Sequence, residues 1–391
     1  LNNYKKHIAL VANTSWSIFN FRLGLIRALV SQGHHVYAIA PIDDYSDKLI
    51  AEGVTYVPLK MKAYATSPLE DFKTFYRLIR IYRKYRFDHI FHYTIKANIY
   101  GSIAARLFSI PSVAVVTGLG RTFQFKGLAQ RLIHQAYKLG ARCSTEVWFL
   151  NREDQDRFIA EGIIKRPKTF ILPSEGVNIS KFVSATDSTK QKKIVRLLFA
   201  GRLLKDKGIL QFVEAAKRIL NTHDRVKFEI VGFVNPENDQ SVIFDQLENW
   251  QRAGWINYLG SHEDIRPFIH RADCIVFPSY YQEGISRILL EAASMSRPII
   301  TTDQVGCRDV VREGINGLLV KPRDTASLVA TIEAMLRMSA EERIQMGHHG
   351  RVLVKSMYDE RDIVDIYFKK LFGIKYFGED EKRAAVHESK Y

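Results

Sequence analysis

Tyr281-Gln-Glu-Gly-Ile-Ser-Arg-Ile-Leu-Leu-Glu-Ala292 sets two carboxylates, Glu283 and Glu291, on either side of a Gly284-Ile285-Ser286 turn and the start of a helix. Just upstream, Cys274-Ile-Val-Phe-Pro-Ser279 reads as a short apolar strand closed by proline, so the turn leaves a strand's carboxyl end. Open α/β sheets hold their ligands there. A helix opening near Ser286 directs backbone N–H groups and the positive end of its dipole at whatever rests on Gly284 and Ile285, which suits a phosphate or a developing oxyanion. Gly284 lets a ligand approach the main chain. Glu283 then stands at the mouth of a site, and Glu291, about two turns on, points back along the same face. On spacing alone, the pair also fits ordinary N-terminal charge and a solvated helix face.

Arg196-Leu-Leu-Phe-Ala-Gly-Arg-Leu-Leu-Lys-Asp-Lys-Gly208 has a related build. A buried strand delivers Gly201 and Arg202 to a loop, and Lys207-Gly208 precedes an amphipathic helix over Ile209–Leu220. Arg202 offers a planar donor fork and Lys207 a point charge, both suited to a diphosphate, although two such residues are also common surface charge. Val226–Val231, Ile256–Gly260, Cys274–Phe277, Pro298–Thr302 and Gly317–Val320 read as further strands with helices between them. The pattern predicts a doubly wound α/β domain, not a repeat array, with the basic loop and the Glu283–Glu291 element converging on one cleft.

The first half has its own α/β order. His7-Ile-Ala-Leu-Val-Ala12 is a strand, the loop Asn13–Ser17 leads to a helix over Asn20–Gln32, and His35–Pro41 is the next strand. This Rossmann-like opening lacks G-x-G-x-x-G and gives no support for a dinucleotide cofactor. Strands recur before Lys96, over Val113–Val116, at Glu146–Leu150 and near Phe170. Asp154-Gln-Asp156 lies on a helix, where positions two apart diverge, so the pair is a poor chelate and is expected on a solvated face. Phe72–Phe87 interleaves six aromatics with Lys73, Arg77, Arg80, Arg83, Lys84 and Arg86 and has no acid. It fits a solvated helix packed by its rings or an interfacial helix on anionic lipid. Arg121–Arg142, with Phe123, Phe125 and Leu128 beside Lys126, is a second basic and apolar stretch, and together the two favour peripheral membrane contact.

At 391 residues the chain has room for two cores, expected over 1–183 and 184–355, with 356–391 returning to the first domain as a helix and a charged tail. The polar run Ser184–Lys193 is the expected connection. Charge is unevenly divided: residues 1–180 hold 25 Lys and Arg against 13 Asp and Glu, net +12, and the remainder holds 32 against 29, net +3. A phosphate-rich partner or an anionic membrane surface should therefore meet the first domain. Cys143, Cys274 and Cys307 show no disulfide or zinc spacing, and no segment has the length and apolarity of a membrane span or signal peptide. A cytoplasmic protein, peripherally associated with the inner face of the cell membrane, is expected.

Glu283-Gly-Ile-Ser-Arg-Ile-Leu-Leu-Glu291 resembles the E-x7-E signature of retaining glycosyltransferases of family 4, which have the two-domain GT-B fold. The resemblance extends in order through Phe199–Gly208, Phe228-Glu-Ile-Val-Gly232, Tyr258-Leu-Gly260 and Gly314-Ile-Asn-Gly317. Phe19-Asn-Phe-Arg22, Ile95-Lys-Ala-Asn-Ile-Tyr-Gly101 and Thr117-Gly-Leu-Gly120 are similar to bacterial enzymes that build polysaccharide repeat units, including capsule and O-antigen, on undecaprenyl diphosphate. The resemblance implies two Rossmann-like domains facing across a cleft. It further implies transfer of a hexose or N-acetylhexosamine, with retained configuration, from a nucleotide sugar, most often UDP-linked, to a lipid diphosphate-linked saccharide without a metal. Arg202, Lys207 and the turn Gly284-Ile285-Ser286 would meet the leaving diphosphate, Glu291 the ribose, and Glu283 the donor sugar. Gly201, Gly232 and Leu259 would lie along the nucleotide. Thr14, Ser15, Arg22, Gly118 and Gly120 would face the acceptor, with Arg22 on its diphosphate. Where many members carry a histidine after a strand, this chain reads Thr117-Gly-Leu-Gly120, leaving His92 or Lys96 as replacement, or His92 as a buried core residue. A nucleotide-sugar epimerase or hydrolase on the same fold is the alternative enzyme. A nucleic-acid-binding protein is the alternative from another class, disfavoured because the charge is confined to one domain and no nucleic-acid module is present.

Overall fold

Parallel strands buried on both faces need near-continuous apolar runs, and both halves of the chain supply them. The computed structural model describes residues 5–61, 67–120, 123, 127–184, 194–236 and 238–377. In the first unit β1 (His7–Val11), β2 (His35–Ala40), β3 (Thr55–Pro58), β4 (His89–Tyr93), β5 (Ser112–Val116), β6 (Glu146–Phe149) and β7 (Thr169–Ile171) form a sheet of order β3-β2-β1-β4-β5-β6-β7. The pairing is parallel, with Ile8 opposite Val36 on one side and His89 on the other. The strand order reverses between β1 and β4. The helix Ser15–Ser31 packs with β2 and Glu360–Phe372, whereas Pro68–Tyr85, Ser102–Leu107 and Leu128–Cys143 form a separate layer.

The second unit repeats the plan. β8 (Val195–Ala200), β9 (Val226–Val231), β10 (Asn257–Tyr258), β11 (Cys274–Phe277), β12 (Ile299–Thr302) and β13 (Gly317–Val320) are ordered β10-β9-β8-β11-β12-β13, again parallel. Its switch point lies between β8 and β11, the strands that feed the basic loop and the Glu283 turn.

The chain leaves the first unit after Gly176 and re-enters it at Glu360. The division falls earlier than 183/184 because Val177 bridges Asp359 and Ile179 and Phe182 sit in the second core. It falls later than 355/356 because Tyr358 belongs to that core too. The helix Glu360–Phe372 is held in the first unit by Tyr367, whose ring lies 5.0 Å from those of Phe91 and Trp148, and by Lys370, 2.9 Å from Glu146. Most of the expected connection, 185–193, and the tail 378–391 lie outside the described residues.

Three expectations need correction. The first helix begins at Ser15, not Asn20, because Thr14 caps it: Oγ1 accepts from the Ser17 amide at 3.2 Å, an interaction of about 1 kcal/mol. Asp154 is buried, not solvated; its carboxylate accepts from Asn151 Nδ2 at 2.9 Å while its amide donates to Asn151 Oδ1 at 2.7 Å. Asp156 faces outward and pairs with Arg166. In the second basic stretch Phe123 is core, its ring 5.2 Å from that of Phe158, and so is withdrawn from any membrane contact. Arg121, Phe125, Lys126 and the side chain of Leu128 lie outside the described residues. Among the described residues no helix is long and apolar enough to cross a membrane.

Candidate active site

β8 buries Leu197, Leu198 and Phe199, ends at Ala200 and leads into a loop with Gly201 and Arg202. The next residues, Lys205–Lys207, make one 3-10 turn that ends at Gly208 with φ +82°. A Cβ on Gly208 would lie 2.1 Å from the Pro278 carbonyl oxygen, so only glycine permits this approach. The turn is thereby pinned against the end of β11, where the Tyr280 amide donates to the Asp206 carbonyl at 2.9 Å.

That contact carries Lys207 to Glu283. Nζ lies 2.6 Å from Oε1, with the two side chains 8% and 13% exposed, and it stands 4.7 Å from the ring centre of Tyr281. Burial pushes the Lys207 ammonium below its usual range, Glu283 pulls it back up, and Arg202 pushes it down again. Lys207 and Glu283 are thus largely shut off from water, with the partly exposed Arg202 close enough for its charge to be felt. Ser279 completes it by donating to Oε1 of Glu283 at 3.0 Å.

Glu291 keeps different company. It is buried on the helix Arg287–Ser294 and pairs with Arg287 Nε at 2.8 Å. Burial raises its pKa against the opposing pull of Arg287 and the nearby charge of Lys181. Ser286 is the N-cap of this helix but makes no side-chain cap, and its buried Oγ has no hydrogen-bond partner among the described residues. The helix thus starts beside Gly284 and Ile285, with the Ser286 amide donating to the Gly306 carbonyl at 2.9 Å. Gly232 and Leu259 lie at the neighbouring strand ends: the Gly232 amide donates to Gly260 at 3.0 Å, and Tyr258 Oη donates to the Gly232 carbonyl at 2.9 Å. A Cβ on Gly232 would lie 1.8 Å from the Gly201 carbonyl oxygen, so glycine is what lets the two strand ends touch. All these donor-side candidates gather on one carboxyl edge of the second sheet.

In the first unit the structure separates the acceptor candidates. Arg22 is buried; it donates to the Ser17 carbonyl at 2.8 Å, ion-pairs with Glu175 and stacks 3.8 Å above the Tyr93 ring centre. Its guanidinium is committed inside the unit, so the expected hold on an acceptor diphosphate is withdrawn. Ser15 is likewise internal, its Oγ donating to the Pro41 carbonyl at 2.8 Å beside Tyr56 Oη. His92 is fully buried between Tyr82 Oη at 2.8 Å and Ser102 Oγ at 3.3 Å, and burial lowers its pKa to about 3. It is a neutral core residue and cannot replace the family's histidine beside a donor sugar. Lys96 sits 2.7 Å from Asp71, which also accepts from Tyr100 Oη. Thr14, Lys96, Gly118 and Gly120 remain at the carboxyl edge of β1, β4 and β5.

Ser279 and Glu175 were not singled out from the sequence. Each follows a Pro at the end of a strand, in Phe277-Pro-Ser279 and Leu172-Pro-Ser-Glu175, which is the available signal.

Comparison with known proteins bears on both units. Residues 7–151 match the family model "Glycosyl transferase 4-like", and residues 194–338 match "Glycosyl transferases group 1". The chain is 26% identical over 378 residues to the N,N'-diacetylbacillosaminyl-diphospho-undecaprenol alpha-1,3-N-acetylgalactosaminyltransferase of Campylobacter jejuni, covering 93% of this chain and 97% of that one. It is 29% identical over 317 residues to the UDP-Gal:alpha-D-GlcNAc-diphosphoundecaprenol alpha-1,3-galactosyltransferase of Escherichia coli, covering 77% and 78%. Among solved structures, Anabaena Alr3699/HepE in complex with UDP-glucose superposes with a TM-score of 0.76 at 18% identity, over 94% of this chain and 100% of that one.

Proposed function

This chain belongs to the family 4 glycosyltransferases and has their GT-B fold, and from that premise we propose that it transfers a hexose or N-acetylhexosamine, with retention, from a UDP-sugar to a lipid diphosphate-linked saccharide in surface polysaccharide or glycan assembly. The observation that carries the proposal is the sealed contact of Lys207 with Glu283, next to Arg202, at the carboxyl edge of the second sheet. Breaking the anomeric C–O bond leaves added negative charge on the departing nucleoside diphosphate. Arg202, Lys207 and the positive dipole end of the helix Arg287–Ser294, beside Gly284, Ile285 and Ser286, meet that charge, and where water is shut out they act more strongly than in bulk solvent. Glu283 faces the sugar, where it orients hydroxyls and offsets positive charge at the anomeric carbon. Glu291, steadied by Arg287, accepts from the ribose hydroxyls.

The lipid diphosphate acceptor is supported by the two bacterial relatives, whose names both specify a diphosphoundecaprenol-linked sugar. An acceptor anchored in a bilayer requires the enzyme to reach it. The helix Pro68–Tyr85 supplies a suitable face: it exposes Leu69, Phe72 and Tyr76 together with Lys73, Arg80, Arg83 and Lys84, while burying Leu78 and Tyr82. Rings in the headgroup zone and cations on anionic lipid give peripheral attachment at the cytoplasmic face.

The test is a screen of UDP- and GDP-sugars against short polyprenyl diphosphate saccharides, read by mass. A product heavier by one glycosyl residue, with UDP released only when acceptor is present, is expected. UDP release or sugar isomerisation independent of acceptor would replace transfer with hydrolysis or epimerisation.

A further inference from the structure

Glu283 presents its two oxygens unequally. Oε1 receives both Lys207 Nζ, at 2.6 Å, and Ser279 Oγ, at 3.0 Å, while Oε2 takes no hydrogen bond among the described residues. Ser279 is 0% exposed, immediately beyond β11. Its carbonyl accepts from the Thr302 hydroxyl, and its Oγ accepts from the Tyr281 amide at 3.3 Å, so the side chain is held at both ends. One hydroxyl has one proton, and two acceptors compete for it: the Asp206 carbonyl at 3.5 Å and the Glu283 carboxylate at 3.0 Å. The shorter, charge-assisted bond wins.

We propose that Ser279 is a positioning residue for Glu283: with Lys207 it occupies Oε1 and leaves Oε2 alone to the donor, so the carboxylate grips a single hydroxyl of the transferred sugar. This rests on Glu283 facing the donor. A carboxylate with both oxygens available can bridge two vicinal hydroxyls and so read their relative configuration, whereas one oxygen reads one position. Ser279 thereby narrows which part of the sugar this residue selects.

The experiment is steady-state transfer by the full chain to a polyprenyl diphosphate saccharide, using donors that lack one hydroxyl at a time. Wild type, Ser279→Ala, Ser279→Cys, Glu283→Gln and the Ser279→Ala/Glu283→Gln double variant are compared, with the Kd for UDP measured alongside. For wild type, removing one of two adjacent hydroxyls should lower kcat/KM by about tenfold or more and removing its neighbour should not, provided Glu283→Gln abolishes that difference. Ser279→Ala should lower kcat by about tenfold to a hundredfold at unchanged UDP Kd. Ser279→Cys, a weaker donor, should fall between. Because Ser279 acts through Glu283, the double variant should be no slower than Glu283→Gln alone. Losses that multiply in the double variant, or two adjacent hydroxyls that both lose their effect in Glu283→Gln, would overturn the proposal. If Glu283→Gln transfers sugar like wild type, the donor-facing assignment fails; if it is slow while Ser279→Ala is normal, only the role of Ser279 fails.

Discussion

Lys207 Nζ and Glu283 Oε1 lie 2.6 Å apart, each side chain nearly sealed from solvent and each delivered by a different strand end. Removing one partner strands the other's charge, so Lys207→Ala should destabilise the second unit by about 3–5 kcal/mol and weaken UDP binding. Glu283→Gln keeps the shape and an acceptor oxygen, and should reduce kcat far more than donor affinity. Denaturant melts and steady-state kinetics check both, and wild-type behaviour from both would remove the pair from the site.

Gly208 holds the turn that carries Lys207. With φ +82° and the Pro278 carbonyl oxygen where a Cβ would go, Gly208→Ala should push the turn away from β11. Loss of UDP affinity by about tenfold or more, with the first unit's melting unchanged, is the expected result by calorimetry.

Arg22 should behave as a structural residue. Arg22→Met leaves the half-buried Glu175 without its cation and should lower the first unit's stability by about 1–3 kcal/mol. Acceptor KM at a temperature where the variant is folded should stay near the wild-type value. A rise in acceptor KM without a loss of stability would return Arg22 to the binding surface.

Acid should weaken the first unit through the buried His92 and the half-buried His89. His92 has a folded pKa of about 3 and His89 about 4, both lowered by burial, against about 6.5 when unfolded. Between those values the unfolded chain binds more protons, so stability is complete above about pH 6.5 and falls as pH drops through that window, by about 1.4 kcal/mol per unit for each group. Urea midpoints from pH 7 to 4 measure the slope, and His92→Gln should make it shallower.

On vesicles, the face of Pro68–Tyr85 should be decisive. Replacing Lys73, Arg80, Arg83 and Lys84 with Gln should weaken binding to anionic liposomes by about tenfold or more, with roughly 1 kcal/mol lost for each charge that reaches the surface. Transfer to a short water-soluble acceptor should be unaffected. Unchanged sedimentation with liposomes would refute the assignment of this helix.

The second sheet was legible because parallel strands leave uninterrupted apolar runs: Val226–Val231, Cys274–Phe277 and Gly317–Val320 have the bounds the pattern predicts. The meeting of the basic loop with the Glu283 turn followed from strand-end topology, which places both at one switch point. What could not be read was side-chain company set by distant partners. Arg22 looks available to an acceptor diphosphate until Glu175, 153 residues away, arrives beside it. The sequence leaves His92 open between the donor sugar and the core, and Tyr82 and Ser102, closing on its ring, decide for the core. Ser15-Trp16-Ser17 reads as loop by composition, and only the Thr14 cap shows the helix already begun.

The return of Glu360–Phe372 to the first unit has a consequence for biosynthesis. The half of the protein that is translated first is the half completed last, since Tyr367 and Lys370 close it only after the whole second unit has been made. During synthesis the nascent N-terminal sheet must wait, with Phe91 and Trp148 uncovered, for a helix supplied from the other end of the message. A chain cut just before Glu360 would therefore be expected to keep its nucleotide-binding half intact while exposing a raw apolar surface on the other, inviting capture by chaperones.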